Sequence, residues 1–469
     1  MVELSKFTHL FDCGEAVALY HSLRMKPVYL KKGIFKKLDD WLKQKPEAID
    51  SASEDLLGII KELIKYKILK QDKFEDEKVL EFVKTKLPKP AINVCYFILS
   101  EQCNLSCKYC FIGNNDQEKR KNFTKLNMSK SVADKAIDFF IRQLKESSGN
   151  INFEENKPVI IFYGGEPLIN FEMLEYIATK INNLRVSEKA VKNLEMSVIT
   201  NGLLLNEERA IKLKKLGVGI GISIDGFTEE SNSMRVDNSG NPIFKKLLTI
   251  LDMLKKLNIS ISLSVTLSEE TINSRDEIID LIQAYNIKSF GFNIMMSSDT
   301  FVVSEKYNEK AAQFIIDQFI KLRKLGVYED RMMRKLKAFA ESKIYFSDCA
   351  ATAGGQIVIS SNGEVGICQG CLHNKKYFIS DIADENFIAS KNKDIIEWSQ
   401  LSPINKEECQ DCSALGICGG GCPINASYIK QNNTIHSLDE RFCIHSKMTL
   451  DFLIKDLYRA MTDDQGARN

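Results

Sequence analysis

The clearest indication of the fold is the segment VCYFILSEQCNLSCKYC, residues 94–110. It begins with an apolar run of strand length and ends with three cysteines, Cys103, Cys107 and Cys110, separated by three and then two residues. Three thiols behind a strand are awkward to bury without a purpose, although a free cysteine is often only a small buried hydrophobe. A tetrahedral zinc site needs four ligands, so the spacing raises the question of which metal three thiolates would hold.

The chain downstream alternates strands and helices. Amphipathic helical stretches separate several further segments of strand length, which read PVIIFYGGEPL, LEMSVITNGLLL, GVGIGISIDGF, ISISLSVTLS and KSFGFNIMMS. Repeated βα units predict an α/β fold with a parallel sheet that curves towards a barrel. The chemistry of such a fold gathers where its strands end. Besides the cysteines, these ends carry Gly164, Gly165, Glu166, Asn201 and Asp225.

The composition is that of an ordinary globular protein. Of the 469 residues, 44% are hydrophobic and 27% are charged, and the formal net charge is +1. Because the many Lys and Arg residues are matched by acids, the composition does not argue for nucleic acid or a membrane surface as a partner. The chain starts with mixed polar residues and has no apolar run of about eighteen residues. The sequence therefore predicts neither a targeting leader nor a transmembrane helix, and the expected location is the cytoplasm.

The thirteen cysteines are many for a cytoplasmic chain. Because a reducing compartment disfavours disulfides, clustered cysteines there are more often metal ligands or catalysts. None lies between Cys110 and Cys349, and eight crowd the last quarter of the sequence. This distribution predicts two metal-bearing regions separated by a scaffold. For the first region the alternatives are half a zinc site and a [4Fe–4S] cluster, in which three thiolates leave one iron free for a small molecule.

The cysteine loop at the end of the first strand resembles that of the radical S-adenosylmethionine (SAM) enzymes. Further pieces follow in the order of that family, namely YGGEPL at 163–168 and SIDG at 223–226, with an arginine downstream. The resemblance implies a partial (β/α)6-type barrel and a SAM-binding [4Fe–4S] cluster on Cys103, Cys107 and Cys110. Carbonyl groups exposed by glycines suit the SAM ammonium group, and arginine suits its carboxylate. The implied SAM contacts are Tyr109, Gly164, Gly165, Glu166, Ser223 and Arg235.

The C-terminal quarter resembles the SPASM extension of peptide-modifying radical SAM enzymes. Seven of its cysteines have the spacing of that extension, which makes a zinc knuckle a poor alternative. The resemblance implies two auxiliary [4Fe–4S] clusters and thus three clusters in all. One set of implied ligands is Cys409, Cys412, Cys418 and Cys443. The other set, which leaves one iron open or bound by a further thiolate, is Cys349, Cys368 and Cys422.

Cys371 is an additional cysteine, three residues past Cys368 in the segment CQGC. The spacing C-x2-C suits one metal or cluster, so Cys371 could complete the second auxiliary cluster. In the other hypothesis that cluster keeps an open iron, where a substrate thiolate binds. The open iron is favoured at this point, because Gly370 and His373 fit a loop that turns Cys371 elsewhere.

Residues 1–86 are interpreted as a small α+β unit. Short strand candidates lie in FTHLFDC, AVALYHSL and KPVYLKKG, and helical patterns follow in IFKKLDDWLKQ and, behind a Ser53 cap signal, in ASEDLLGIIKELIKYKIL. The unit resembles the winged-helix-like leader-recognition element of maturases of ribosomally made peptides, with residues 26–33 as the candidate edge. The predicted domains are 1–86 for leader recognition, 91–310 for the radical SAM core, 311–347 for connecting helices and 348–469 for SPASM.

Together these resemblances imply a radical SAM/SPASM peptide maturase. The leading outcome is a thioether between a peptide cysteine and a carbon of another residue, formed through a 5′-deoxyadenosyl radical, while carbon–carbon crosslinking and epimerisation stay open. Sulfatase-maturing relatives carry an aspartate where this chain has Gln369, which disfavours a sulfatase-maturase-like oxidase. The implied partners are a precursor peptide with its leader and an electron donor such as flavodoxin or ferredoxin. The non-enzyme alternative is a zinc-bearing peptide- or nucleic-acid-binding protein, and no histidine is marked as a catalytic base.

Overall fold

The structure is a computed structural model. It describes residues 1–110, 112, 127–274, 277–285, 287, 289–296, 303–304, 306–429 and 434–466. Parts of the predicted regions 91–310 and 348–469 therefore lie outside the described residues, as do both ends of the KSFGFNIMMS segment.

The N-terminal unit combines two small sheets with three helices. Its elements in chain order are β1 (Glu3–Leu4), β2 (Thr8–Asp12), β3 (Ala16–His21), β4 (Pro27–Lys31), α1 (Lys32–Lys43), α2 (Glu54–Lys65), β5 (Leu69–Lys70) and α3 (Glu75–Lys84). Strands β2, β3 and β4 form an antiparallel meander in that order, and β1 pairs with β5. The three predicted strands and the two predicted helices are all present, and β4 lies at an edge of the meander.

The helices of this unit each bury one face. Trp41 of α1 and Ile60 of α2 belong to one apolar core, as the helical spacing of their apolar residues predicts. Ser53 stands at the N-cap of α2, but its side chain makes no capping bond to the helix backbone. The Ser53 hydroxyl instead interacts with the Asp55 carboxylate. This carboxylate competes with the backbone N–H groups of the helix for the Ser53 side chain.

Parallel strands and the helices between them form the centre of the molecule. Its elements are β6 (Val94–Ser100), α4 (Lys130–Ser147), β7 (Val159–Gly164), α5 (Phe171–Leu184), β8 (Glu195–Thr200), α6 (Glu207–Leu216), β9 (Val218–Ile224), α7 (Phe244–Lys256), β10 (Ile261–Leu267), α8 (Glu269–Asn273), α9 (Glu277–Tyr285), β11 (Ser289–Ile294), α10 (Tyr307–Lys324), β12 (Tyr328–Glu329) and α11 (Asp330–Glu341). Strands β6 to β11 are the six segments predicted from the sequence, and they pair in parallel in chain order. The predicted α/β fold with a (β/α)6 core is confirmed.

The cysteine-rich region extends the same sheet. Its elements are β13 (Gln356–Ile359), β14 (Glu364–Gly366), β15 (Phe378–Asp381), α12 (Lys393–Ser399), α13 (Leu415–Cys418), α14 (Pro423–Ile429) and α15 (Glu440–Gly466). Strand β13 lies parallel beside β6, and β14 and β15 follow antiparallel. Over the described residues the sheet thus has ten strands in the order β12-β11-β10-β9-β8-β7-β6-β13-β14-β15, and the cysteine-rich region adjoins the strand that leads into the first cysteine loop.

The two faces of the curved sheet differ. Phe97, Phe162 and Ile222 lie on the face that is buried against the helices. Because side chains alternate along a strand, their neighbours face the inside of the curve, where Tyr96 and Tyr163 pack edge to face with ring centroids 5.5 Å apart. The inward positions of β9, β10 and β11 are small or polar, and they include Gly221, Ser223, Ser262, Ser264, Gly291 and Asn293.

The N-terminal unit packs on the cysteine-rich region. Val79 and Val83 of α3 belong to the same apolar cluster as Ile404 and Leu415. The Tyr29 hydroxyl on β4 donates a hydrogen bond of 2.8 Å to a backbone carbonyl of α15. In the part of the chain that the structure describes, no helix is long and apolar enough to cross a membrane.

Candidate active site

The first cysteine loop is fastened to the segment that follows β9. The backbone N–H of Ser106 donates to the carbonyl of Val236 at 2.8 Å, and that of Lys108 donates to the carbonyl of Met234 at 3.0 Å. Leu105 between the cysteines is buried, so it anchors the loop in the core. These contacts place the loop near the ends of β6 and β9.

Gly164 and Gly165 bring the end of β7 against the base of this loop. Gly164 has a φ of 146°, a conformation that favours glycine. A Cβ on Gly164 would overlap the Ser100 carbonyl, and one on Gly165 would lie 2.5 Å from the Gln102 carbonyl. The N–H of Gly165 donates to the Ser100 carbonyl at 3.0 Å. The two glycines thus permit a close approach of two backbones beside the cysteines.

Glu166 links the ends of β7 and β8. Its carboxylate is fully buried and accepts hydrogen bonds from the N–H of Leu168 (3.0 Å), the hydroxyl of Thr200 (2.7 Å) and the N–H of Asn201 (2.9 Å). Burial raises the pKa of Glu166, and these donors oppose that shift. Glu166 was predicted as a SAM contact, and the structure shows its carboxylate engaged with protein groups. The Asn201 side chain in turn donates to the Asn104 side chain at 2.8 Å.

Tyr109 and Arg235 meet at Asp225, at the end of β9. The Arg235 guanidinium donates to the Asp225 carboxylate at 2.9 Å and to the Tyr109 hydroxyl at 2.8 Å. The Tyr109 hydroxyl also donates to Asp225. Asp225 and Arg235 are both buried, and burial raises the pKa of Asp225 while the Arg235 charge acts against that shift. The second Asp225 carboxylate oxygen is buried without a hydrogen-bond partner among the described residues.

Ser223 lies one residue before the end of β9, on the inner side of the sheet. It is half-buried and stands beside Ser264 of β10 in the strand register. Ser264 accepts a hydrogen bond of 2.9 Å from the Asn293 side chain of β11. The structure thus places all six predicted SAM contacts on the ends of β6, β7 and β9 or on the loops that follow them.

The thiols of the first loop are close neighbours. Cys103 lies in a recess that still opens to solvent. Surrounding protein raises the pKa of the Cys103 thiol, and the nearby Cys107 and Cys110 raise it further. Thiols with raised pKa values hold their protons near neutral pH, so binding of a metal must displace those protons.

The predicted ligands of one auxiliary cluster also converge. Burial raises the pKa of Cys443 to about 12, and Cys418, Cys409 and Cys412 add to that shift. The four residues come from separate places in the chain. Cys409 ends a 3-10 turn, Cys412 lies three residues beyond it, Cys418 ends α13 and Cys443 lies near the start of α15. Four thiols in one place fit the donor set of an iron–sulfur cluster.

The predicted ligands of the other auxiliary cluster lie near the inside of the sheet. Burial raises the pKa of Cys422 to about 12, and Cys368 contributes to that shift. Cys368 likewise contributes to the raised pKa of Cys349. Burial also raises the pKa of the inward-facing Tyr96, with further contributions from Tyr163, Cys368 and Cys349. This group of thiols therefore adjoins the aromatic side of the inner face.

The described residues contain no group of three or more His, Cys, Asp or Glu side chains that could hold one metal ion. The thiolates of a four-iron cluster bind different irons, so they stand farther apart than the ligands of a single ion. The all-thiol donor sets therefore fit iron–sulfur clusters.

Sequence reasoning missed a buried charged group between the barrel and the cysteine-rich region. Lys335 of α11 is 1% exposed, and its ammonium group donates to the carbonyls of Ile417 (3.3 Å) and Cys418 (3.0 Å). Arg331 of the same helix pairs with buried Asp348 at 2.9 Å. The sequence pattern of α11 alone indicates a solvated charged face. Only the tertiary fold shows that this face is covered.

Comparisons with known proteins agree with this architecture. Residues 97–282 match the sequence model of the Radical SAM superfamily. The radical SAM cyclopropyl synthase TigE of Paramaledivibacter caminithermalis is 26% identical over 391 residues, which cover 80% of this chain and 77% of that protein. A cysteine-type anaerobic sulfatase-maturating enzyme of Clostridium perfringens is 25% identical over 355 residues, covering 71% of this chain and 89% of that enzyme.

Two solved structures share the fold. Native anSMEcpe with bound AdoMet superimposes with a TM-score of 0.62 at 20% identity, over 79% of this chain and 98% of that one. Streptococcus suis SuiB bound to precursor peptide SuiA superimposes with a TM-score of 0.51 at 15% identity, over 94% of this chain and all of that one. With its matching sequence region, its parallel barrel strands and its cysteine loop, the chain carries a radical SAM domain and is a radical SAM enzyme.

Proposed function

We propose that this enzyme binds SAM at a [4Fe–4S] cluster held by Cys103, Cys107 and Cys110 and modifies a ribosomally made precursor peptide. The main support for the proposal is the position of the cysteine loop. Backbone hydrogen bonds hold this loop beside the ends of β7 and β9. When bound, the cluster and SAM supply a 5′-deoxyadenosyl radical that removes a hydrogen atom from the substrate.

The residues around the loop hold and orient SAM in this proposal. The close approach of Gly164 and Gly165 leaves backbone carbonyls at the end of β7 for the SAM ammonium group. Arg235 is oriented by Asp225 and Tyr109, which keeps a buried cation in place for a carboxylate. Glu166 acts as a positioning residue, since its hydrogen bonds fix the ends of β7 and β8.

The inner face of the sheet supports a peptide substrate. The inward side chains of β9, β10 and β11 are small or polar, in contrast to the Tyr96–Tyr163 pair on the same face. Hydroxyl and amide groups on that side suit the backbone of an extended peptide, which needs hydrogen-bond partners when it leaves water. SuiB, which shares the fold, is seen with a precursor peptide.

The two groups of thiols in the cysteine-rich region would hold the two auxiliary clusters of a SPASM domain. The N-terminal unit would bind the leader of the precursor, and an electron donor such as flavodoxin or ferredoxin would reduce the SAM-binding cluster. The unit packs directly on the cysteine-rich region through α3, so a leader bound there would stay close to the catalytic part of the chain.

Oxidative bond formation within the peptide is the reaction we propose, with a thioether as the first candidate. Carbon–carbon ring formation is the second candidate, because the relative TigE is a cyclopropyl synthase. The Gln369 side chain accepts a hydrogen bond of 3.0 Å from Gln356, and a neutral amide cannot act as the base that an aspartate supplies. This disfavours the oxidation performed by sulfatase-maturating relatives.

The experiment uses the reduced, anaerobic full-length enzyme with SAM and candidate precursor peptides that carry a leader and a cysteine. Formation of either bond makes the peptide two hydrogen atoms lighter, which mass spectrometry measures. Alkylation with iodoacetamide then separates the candidates, because a thioether consumes a peptide thiol and a carbon–carbon bond leaves it free. An unchanged peptide in the presence of active SAM cleavage would contradict the proposed substrate class.

A further inference from the structure

A tight turn brings the side chain of Cys371 next to that of Cys368. Residues Gln369–Cys371 form one turn of 3-10 helix, and the N–H of Cys371 donates to the carbonyl of Cys368 at 3.1 Å. Side chains three residues apart eclipse one another in a 3-10 turn. The two side chains accordingly lie on the same side of the turn, and the neighbouring Cys371 raises the pKa of the Cys368 thiol.

The residues within the turn keep the two thiols in this arrangement. Gln369 is held on the neighbouring strand, since its side-chain oxygen accepts a hydrogen bond from Gln356 at 3.0 Å. The N–H of Gly370 points at the Cys368 sulfur at 3.4 Å. The N–H of Lys375 donates to the Cys371 carbonyl at 2.8 Å, which fixes the chain beyond the turn. The loop that the sequence suggested would carry Cys371 elsewhere thus turns it towards Cys368.

The position of Cys371 also suits a ligand of the cluster that Cys368 would serve. Cys371 is 2% exposed, so its thiol cannot reach a partner in solvent. Cys368 in turn is near Cys349 and Cys422, since it contributes to the raised pKa values of both. A fourth thiol beside this group completes the donor set of a [4Fe–4S] cluster.

We propose that Cys371 is the fourth protein ligand of the auxiliary cluster held by Cys349, Cys368 and Cys422. The proposal rests on the proposed function in that it presupposes this auxiliary cluster. It replaces the open iron favoured by the sequence with a cluster whose four irons all carry protein thiolates.

A closed cluster, in which all four irons carry protein thiolates, has no free iron for the substrate. Its role in the reaction is therefore different from that of a cluster with an open iron. Joining a carbon to a sulfur, or to a second carbon, removes two hydrogen atoms from the peptide. The 5′-deoxyadenosyl radical takes one of them as an atom, and the other leaves as a proton and an electron. A cluster held by Cys349, Cys368, Cys371 and Cys422 would supply an acceptor for that electron without taking the substrate as a ligand. The cluster group adjoins Tyr96 on the inner face, so the substrate and the acceptor would be neighbours.

The other interpretation of Cys371 is a buried thiol that serves only as a small apolar side chain. The same region offers a comparison in Cys95 of β6, which is fully buried on the helix-facing side of the sheet. The two interpretations differ in what happens to the iron when the thiol is removed, and that difference can be measured without any turnover.

The test counts auxiliary irons in a protein that lacks the SAM-binding cluster. In the Cys103→Ala/Cys107→Ala/Cys110→Ala background we expect about eight irons per chain. Adding Cys371→Ala should lower the content by about one iron after mild oxidation and give the EPR signal of a three-iron cluster. Cys371→Ser should keep the iron, with an altered Mössbauer spectrum, because a hydroxyl can replace the thiol as a weaker ligand. Cys13→Ala, which removes a thiol of the N-terminal hairpin, is the matched control and should change nothing.

Dithiothreitol provides a second readout of the same site. It should alter the cluster spectrum of the Cys371→Ala protein, where an iron is exposed, and leave the background protein unchanged. The proposal is overturned if Cys371→Ala and Cys371→Ser both keep the iron content and the spectra of the background, or if dithiothreitol alters the background itself. Absence of auxiliary iron from the background, or no loss of iron in Cys368→Ala, would instead contradict the proposed function.

Discussion

Gly165 stands where the end of β7 meets the cysteine loop, with no room for a side chain. A Cβ there would lie 2.5 Å from the backbone carbonyl of Gln102, and a backbone atom cannot rotate away as a flexible side chain can. The hydrogen bond from the Gly165 N–H to Ser100 requires the same close approach.

Gly165→Ala should therefore push β7 away from the loop. We expect the free energy of unfolding to fall by about 1–3 kcal/mol and anaerobic SAM cleavage to fall with it, because the loop moves relative to the strand ends. Gly149→Ala is the control, since a Cβ at Gly149 meets no atom within 4 Å. Equal stability and equal SAM cleavage in the two variants would show that the approach of β7 is not needed.

Asp225 and Arg235 form a buried ion pair, and removal of one partner leaves the other charge without compensation. Asp225→Asn should lower the free energy of unfolding by about 3 kcal/mol, as measured by urea titration. Glu195→Gln removes one partner of the exposed Lys157–Glu195 pair and should cost less than about 1 kcal/mol. A cost for Asp225→Asn no greater than that of the exposed control would contradict the role assigned to this pair.

At the level of elements, β4 pairs with β3 on one side and has no strand partner among the described residues on its other side. An extended leader can add to such an edge, with affinity from main-chain hydrogen bonds. The N–H groups of neighbouring residues on a strand point to opposite sides, so either Val28 or Tyr29 donates towards β3 and the other points outwards.

Val28→Pro and Tyr29→Pro, made separately, should therefore differ. The variant that removes the inward N–H weakens the hairpin, whereas the one that removes the outward N–H keeps the fold and binds the leader about tenfold more weakly, for a loss of about 1.4 kcal/mol. Fluorescence anisotropy with a labelled leader peptide measures the affinity, and circular dichroism identifies the folded variant. Undiminished leader affinity in the folded variant would exclude this edge.

The elements also show how far the sequence predicts this molecule. Strands β6 to β11 are all predicted, because each is an apolar run that ends in turn or glycine residues. The extension of the sheet by β13, β14 and β15 was not predicted. These strands are short, and their place beside β6 depends on a pairing across some 260 residues between Val94 and Gln356, which no local pattern encodes.

The same contrast holds within the candidate site. The cysteines, the paired glycines and Arg235 have positions that a motif reveals. The Asp225 pairing, the hydrogen bonds of Glu166 and the burial of Lys335 depend on which segments meet in space. Spacing also left the orientation of Cys371 undecided, because only the 3-10 turn determines where its side chain points.

At the scale of the whole molecule, the N-terminal unit is part of a continuous packing arrangement. Gly416 of α13 lies against the backbone of Ser22 and the side chain of Met25, and Tyr29 reaches the backbone of α15. The N-terminal unit and the cysteine-rich region are thus joined by direct contacts, and a change at this boundary should affect both.

Gly416→Ala should loosen that boundary, because its Cβ would overlap the Ser22 carbonyl. We expect faster limited proteolysis of the segment that joins α3 to β6 and a loss of about 1–3 kcal/mol in the free energy of unfolding. Gly58→Ala in α2 meets open space and should be neutral or stabilising by up to about 1 kcal/mol. An unchanged rate of proteolysis in Gly416→Ala would show that other contacts hold the N-terminal unit in place.

In the proposed function, the thiols of the first loop hold the cluster that cleaves SAM. The most direct measurement is the amount of 5′-deoxyadenosine formed per chain under anaerobic reduction. The wild-type protein and Cys13→Ala should form it, whereas Cys103→Ala/Cys107→Ala/Cys110→Ala should form none while it keeps the iron of the cysteine-rich region. Formation of 5′-deoxyadenosine by the triple variant at the wild-type rate would contradict the account.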